Sequence, residues 1–155
     1  RYLLGRRLGV SPSSVHAYII GEHGDSEIPV WSKASVGGVQ VRSFEGFGPE
    51  DMENIFAQTK NAAYDVISRK GATYYAIGVV ISNLCETILR DSKKIYPLSV
   101  YMDGCYGAQG VCLSVPCVLG RQGVEKKIEL DLEPDEKKGF DHSADILKKT
   151  LEDVR

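Results

Sequence analysis

The residues that could do chemistry are concentrated in one short segment, GEHGDSEIP at positions 21–29. It places His23, one of three histidines in the chain, two residues before Asp25 and between two glycines. Histidine side chains titrate near neutral pH, and flanking glycines let a substrate approach the backbone closely, so this pattern suits general acid–base catalysis. The residue types leave two other interpretations open: a histidine hydrogen-bonded within the core, or a metal ligand.

The neighbouring residues do not decide between these interpretations. A metal site would combine His23 with Asp25, and His16 lies seven residues earlier, but the sequence offers no third convincing ligand. A catalytic imidazole needs a carboxylate that holds its tautomer. Glu22 and Asp25 are near in sequence, yet in an extended segment their side chains can point away from the ring. Spacing alone therefore leaves the role of His23 open.

Composition and charge argue against several classes of function. The net charge of −2, from 19 basic and 21 acidic residues, gives no broad attraction to nucleic acid or to a membrane, so neither is expected as a partner. The apolar runs are too short to cross a bilayer. The four cysteines form no CxxC pair, so we expect reduced thiols in a cytoplasmic protein, with Cys112 and Cys117 packed as small hydrophobic residues.

The elements that must position His23 follow from the hydrophobic pattern. Apolar spacing and glycine stops predict helices over residues 1–9, 49–71 and 72–89, and a last helix from about Ser143, which is placed to cap it. The helix over 72–89 is apolar around much of its circumference, which favours burial or an interface. Strands are predicted over 15–21, in YPLSVYMDG and GVCLSVPCVLG, and after a turn at 122–123.

These elements add up to a single α+β domain with mainly antiparallel strands. No G-x-G-x-x-G motif and no P-loop occurs in the sequence. The chain alone therefore has no recognisable phosphate cradle for a nucleotide.

Longer motifs carry a resemblance to a known family. Four segments of this sequence resemble the catalytic half of the bacterial L-lactate dehydrogenases, which belong to the lactate/malate dehydrogenase family. They are RYLLGRRLGVSPSSVHAYIIGEHGDSEIPVWS, NAAYDVISRKGATYYAIG, YPLSVYMDGCYGAQGVCLSVPCVLGRQGVEK and HSADILKK. The resemblance covers essentially all 155 residues. It implies the C-terminal fold of that family, in which antiparallel strands pack with long helices. Residues 1–155 would then be a catalytic and substrate-binding domain without the NAD-binding Rossmann domain.

The resemblance also implies a reaction, the NAD-dependent interconversion of pyruvate and L-lactate. His23 would give a proton to the carbonyl oxygen as hydride arrives, and would take it back in reverse. Thr73 and Ala63 match residues beside the substrate, and Ile77 matches the isoleucine that packs on the nicotinamide ring. Without the resemblance, these three would be interpreted as a helix-start hydroxyl, a helix-packing alanine and a core isoleucine.

A regulatory site is implied as well. Arg1 and His16 match the pair that binds the phosphates of fructose 1,6-bisphosphate across a subunit interface in allosteric members. Cationic groups that repel each other across that interface would be joined by a bisphosphate. The resemblance therefore implies a homotetramer that this effector activates. The alternatives are a frayed terminus for Arg1 and a hydrogen-bonded strand histidine for His16.

Several parts of the implied enzyme lie outside this sequence. The resemblance places the aspartate that orients His23, the arginine that binds the substrate carboxylate and the NAD-binding fold upstream of Arg1. The chain starts without methionine and directly in a helical pattern, so we interpret it as part of a longer protein and expect it to be inactive alone. Malate dehydrogenase-type activity and a non-catalytic oligomerisation fragment remain as alternatives.

Overall fold

The computed structural model describes residues 1–154, which divide into two compact units. The first unit comprises Arg1–His16, Ser35–Lys94 and Leu119–Gly123, and the second comprises Ala17–Ala34, Ile95–Val118 and the residues from Val124 onward. The range 1–155 predicted for the domain includes one residue, Arg155, that lies outside the described part. Among the described residues, no helix combines the length and the apolarity needed to cross a membrane.

Residues 1–154 form four α-helices and eight strands. The helices are α1 (Tyr2–Leu8), α2 (Pro49–Lys70), α3 (Tyr74–Leu89) and α4 (Pro134–Asp153). The strands are β1 (Val15–His16), β2 (Ile19–Ile20), β3 (Ile28–Pro29), β4 (Ser35–Val36), β5 (Val39–Gln40), β6 (Lys94–Asp103), β7 (Gln109–Gly120) and β8 (Gly123–Lys127).

The strands form three small sheets, ordered β1-β4-β5, β2-β3 and β6-β7-β8. Pairing is antiparallel between β1 and β4, β4 and β5, and β2 and β3. The connections over residues 104–108 and 121–122 are too short for parallel crossovers, so β6, β7 and β8 are antiparallel too. The predicted α+β fold with mainly antiparallel strands is confirmed, although the hairpin turn lies one residue before its predicted position.

Helices α1 and α2 follow from local signals. Gly9 and Gly71 end them in the left-handed conformation, with φ of 69° and 78°, as the glycine stops predict. At the start of α2, the Asp51 carboxylate accepts the Gly48 N–H at 3.0 Å and pairs with the Arg7 guanidinium. The hydrogen bond from Arg7, and then that from the Gly48 backbone, hold the pKa of Asp51 below its ordinary value. Within the first unit, the pair therefore fastens α1 to the beginning of α2.

The prediction for residues 15–21 is wrong, because the continuous strand is two short ones. Val15 pairs with Val36 in the first unit, whereas Ile20 pairs with Ile28 in the second. The alternation of side chains between the two faces of a strand predicts extended backbone, but it cannot show that the strand changes its pairing partner along its length.

Helix α3 forms where predicted, but its apolar residues are not buried in this chain. Ile77, Val79, Val80 and Ile81 are 52%, 62%, 51% and 54% exposed, and only Thr87 is fully buried. The burial alternative is therefore wrong for this chain. The interface alternative stays a prediction.

Helix α4 begins at Pro134, nine residues before the predicted start. Proline fits the first helical position, and the Glu136 carboxylate accepts the Glu133 N–H at 3.0 Å. The first half of the helix, PDEKKGFDH, is too polar to show a clear apolar period. Ser143 is therefore not a cap; it lies in the middle of α4 and is completely buried.

The cysteines divide into a buried and an exposed pair. Cys105 and Cys117 are buried, whereas Cys85 and Cys112 are exposed. The prediction is confirmed for Cys117 and wrong for Cys112, because the neighbours of Cys112 in β7, Val111 and Leu113, take the inward positions of the pleat. Burial, and then the nearby Glu129 carboxylate, raise the pKa of Cys105 to about 11, and burial also raises that of Cys117.

We expect iodoacetamide at pH 8 to alkylate Cys112 and to leave Cys105 and Cys117 unmodified. With a pKa of about 11, only about one in a thousand Cys105 side chains is the reactive thiolate at that pH. Peptide mass spectrometry over time measures the difference, with Cys112 and Cys117 as a matched pair on one strand. Equal labelling of the pair in the native protein would contradict the burial described.

Candidate functional site

The segment that carries His23 is a loop between two paired strands of the second unit. Residues 21–27 connect β2 with β3, whose pairing of Ile20 with Ile28 closes the base of the loop. Gly21 extends this base, since it donates its N–H to the Ser114 carbonyl at 2.9 Å and accepts the Ser114 N–H at 2.7 Å. The loop therefore starts from a fixed backbone, as a catalytic side chain requires.

Glycine is required at the first position of this loop. Gly21 has a φ of 98°, and a Cβ there would lie 2.8 Å from both Ile28 Cδ1 and Ser143 Oγ. A side chain would force these groups apart. The glycine before His23 is thus explained by close packing against β3 and α4.

His23 lies on the loop, as the sequence predicts, and its side chain is exposed. The Glu22 carboxylate is engaged elsewhere, because it accepts a hydrogen bond from the Ser26 hydroxyl. Gly24 leaves room for it, since a Cβ at this position would lie 2.8 Å from Glu22 Oε1. An exposed imidazole does not fit the interpretation of His23 as a core histidine.

A cleft of about 430 Å³ lies beside this loop, lined by Glu22, Asp25, Ser26, His142 and Ile146. His142 is an exposed residue of α4 and is not among the site residues that the sequence predicts. It lies eight residues after Pro134, in the half of α4 that the sequence pattern missed.

The segment 21–32 is fastened to α4 near both of its ends. The Ser143 hydroxyl accepts the Glu22 N–H at 2.6 Å. At the other end, the buried Glu136 carboxylate accepts the Ser32 N–H at 2.9 Å and the Ser32 hydroxyl at 2.6 Å. No sequence signal links these pairs, because the partners are 121 and 104 residues apart.

The other residues matched to the substrate and the cofactor lie in the first unit. Thr73 is the N-cap of α3, but its side chain makes no capping hydrogen bond, so the helix-start alternative is not supported. Ile77 follows one turn later and donates its N–H to the Thr73 carbonyl at 3.2 Å. Being 52% exposed, it is not a core residue of this chain. Ala63 is an exposed residue of α2.

The two residues matched to an effector site, Arg1 and His16, also lie in the first unit. Arg1 Nε donates to the Val15 carbonyl at 2.7 Å, which brings the guanidinium next to His16 along the chain. His16 is exposed on β1, opposite Ser35. Within residues 1–154, no group of three or more histidine, cysteine, aspartate or glutamate side chains is arranged to hold a metal ion.

Comparison with known proteins decides the family. The model of the lactate/malate dehydrogenase α/β C-terminal domain matches residues 1–155. The chain belongs to the lactate/malate dehydrogenase family. Among relatives in this family, the L-lactate dehydrogenase of Salinibacter ruber is 46% identical over 158 residues, and that of Geobacillus thermodenitrificans is 46% identical over 155 residues. These alignments include 99% and 97% of this chain.

Solved structures of the family have the same fold. The ligand-bound minor L-lactate dehydrogenase of Enterococcus mundtii superimposes with a TM-score of 0.92 at 38% identity, covering 99% of this chain and 50% of that one. A lactate dehydrogenase from a deep-sea metagenome library gives a TM-score of 0.93 at 38% identity, covering 98% of this chain and 50% of that one. The chain spans about half the length of the curated relatives it matches.

Proposed function

We propose that the full-length protein containing this chain is an NAD-dependent L-lactate dehydrogenase that interconverts pyruvate and L-lactate. The observation that carries the proposal is the exposed position of His23 on its loop. The pairing of β2 with β3 closes the base of this loop, and the Glu22 N–H, directly before His23, is hydrogen-bonded to Ser143 of α4. The relatives named L-lactate dehydrogenase support the choice of reaction.

The proposed role of His23 is to transfer a proton. NADH, once bound, would supply the hydride that the keto carbon of pyruvate needs. The protonated imidazole of His23 then gives its proton to the carbonyl oxygen, where negative charge develops, and is left neutral. In the reverse direction neutral His23 takes the hydroxyl proton of L-lactate. Exposure of the ring on its loop allows the substrate to reach it.

The first unit offers residues that fit a nicotinamide ring and a small acid. The exposed side chain of Ile77 provides an apolar surface on which a flat ring can pack. The Thr73 hydroxyl, which caps no helix, is available as a hydrogen-bonding group one turn away. We propose that Ile77 contacts the cofactor and that Thr73 and Ala63 contact the substrate.

We propose that residues 1–155 act as the catalytic and substrate-binding domain of a larger cytoplasmic enzyme. The NAD-binding fold and the carboxylate that orients His23 would come from outside this chain, so the chain alone should be inactive. The exposed apolar residues of α3 also suit the alternative of a non-catalytic oligomerisation fragment. That alternative would be favoured if the full-length protein formed a stable multimer and had no dehydrogenase activity.

The substrate is tested by assaying the full-length protein on two keto acids with NADH. We expect a kcat/KM for pyruvate at least about 100-fold above that for oxaloacetate. A pocket that fits the single carboxylate of pyruvate rejects a substrate with a second carboxylate. A preference for oxaloacetate would replace the proposal with the malate dehydrogenase alternative.

We further propose that the enzyme is a homotetramer activated by fructose 1,6-bisphosphate through Arg1 and His16. Both side chains are exposed next to β1, and the Arg1 guanidinium is held there by the Val15 carbonyl. A guanidinium and an imidazole N–H are both hydrogen-bond donors that suit the phosphates of the effector.

Replacing Arg1 by glutamine or His16 by asparagine in the full-length protein should raise the effector concentration for half-activation by about 10- to 100-fold, since each charge-assisted hydrogen bond to phosphate contributes roughly 1.5–3 kcal/mol. Pyruvate reduction is measured against effector concentration for each variant. The exposed Arg6→Gln variant is a matched control and should respond like the wild type. Unchanged activation in both test variants would contradict the proposed effector site.

A further inference from the structure

One face of α4 contacts the segment that carries His23 at three successive points. Glu136, Gly139 and Ser143 are spaced by three and four residues, so they lie on one side of the helix. Glu136 binds Ser32, and Ser143 binds Glu22. Between them, Gly139 approaches Ile28 so closely that a Cβ would lie 3.1 Å from Ile28 Cγ1. This face of α4 is therefore fitted to the segment 21–32.

Ser143 makes the contact nearest to the proposed catalytic side chain. It is completely buried, and its Oγ accepts the Glu22 N–H at 2.6 Å. The hydroxyl oxygens of Ser26 and Ser143 lie within hydrogen-bonding distance, 3.2 Å apart, while the single Ser26 proton is donated to the Glu22 carboxylate. One serine hydroxyl of α4 thus holds both sides of the turn on which His23 lies.

Ser143 is a buried serine in the middle of a helix that is otherwise largely exposed. Alanine is a better helix former and has no polar atom to satisfy, so helix stability alone would favour alanine here. The hydroxyl at position 143 does not serve the helix end that the sequence predicts for it, since α4 begins at Pro134. Its hydrogen bonds go to the loop instead.

We propose that Ser143 is a positioning residue for His23, which it holds through the backbone of Glu22. This inference rests on the proposed function. The pairing of β2 with β3 and the contact between Gly21 and Ser114 hold the base of the loop, and Ser143 extends that hold to the residue directly before His23. A displacement of about 1 Å in a catalytic group can reduce a rate about 100-fold, so this hydrogen bond controls turnover.

The test compares Ser143→Ala and Ser143→Cys in the full-length protein. Alanine removes the acceptor and suits the helix, whereas cysteine retains the volume but is a weak acceptor. We expect both variants to lose about tenfold in kcat for pyruvate reduction, with the KM for NADH within about twofold of wild type, because alignment matters most in the transition state. Hydrogen exchange of the peptide 21–26 should be faster in both variants.

Glu136→Gln is the matched control, because it weakens the other contact between the same helix face and the same segment. It should lower the melting temperature while leaving kcat and the exchange of residues 21–26 at wild-type values. A folded Ser143→Ala variant with wild-type kcat would overturn the proposal. So would recovery of kcat in Ser143→Cys, which would make the contact a matter of packing, or an equal loss of kcat in Glu136→Gln.

A His23→Asn variant measured in parallel distinguishes a failure of the positioning role of Ser143 from a failure of the proposed function of His23. If it loses its rate and the Ser143 variants do not, the positioning role alone is wrong. If it keeps its rate, the proposed function of His23 is wrong and the positioning role with it.

Discussion

Replacing His23 by asparagine should lower the rate of pyruvate reduction by the full-length protein by about 10²- to 10⁴-fold. Asparagine is polar and of similar reach, so it can still donate a hydrogen bond to the substrate carbonyl. It cannot transfer a proton to the oxygen as negative charge develops there. Because His23 is exposed on its loop, the substitution should barely change folding, and the loss should appear in kcat.

His142 provides the matched control for this experiment. It is also an exposed histidine of the second unit and lines the cleft beside the same loop, but it lies on α4. His142→Asn should retain the wild-type kcat. A rate that survives in His23→Asn, or one that collapses only in His142→Asn, would assign the proton transfer to a different group.

Replacing Phe140 by alanine should destabilise the protein by about 3–5 kcal/mol, the usual cost of removing a buried aromatic ring. Phe140 is completely buried in the hydrophobic core of the second unit. Its ring lies 4.8 Å from that of Tyr106, whose hydroxyl accepts the Leu130 N–H at 2.6 Å. The cavity would therefore also loosen a hydrogen-bonded neighbour.

Urea and thermal unfolding of the full-length protein measure this loss, with Tyr101→Ala as the control. Tyr101 is an aromatic residue of the same unit that is 61% exposed, so its removal should change the free energy of unfolding by less than about 0.5 kcal/mol. Equal losses in the two variants would contradict the placement of Phe140 in the core.

Local signals in the sequence determined much of the fold. Glycine stops, an early proline and three- and four-residue apolar spacing placed α1, α2 and α3 close to their observed bounds. The long strands β6 and β7 also lie where the apolar runs predict them, and His23 lies on a loop as expected. These features depend on residues within a few positions of each other, so the sequence pattern contains them.

Other features depend on which distant residues meet. The strand predicted over 15–21 divides because Val15 and Ile20 pair with different partners. The first half of α4 is polar, so the apolar spacing does not reveal it, and its start is marked by the hydrogen bond between the Glu133 N–H and the Glu136 carboxylate. The exposure of Ile77 on an apolar helix could not be foreseen either, because periodicity shows which face is apolar but not whether anything covers it.

The sequence by itself determined which residue is the candidate for the chemistry, since His23 and its glycines are close together in the chain. Only the tertiary structure decided how that residue is held. Ser143, interpreted from sequence as a helix cap, is the buried acceptor for the Glu22 N–H. The physical reason is that a hydrogen bond between residues 121 positions apart depends on the packing of α4 against the loop, and no local pattern records that packing.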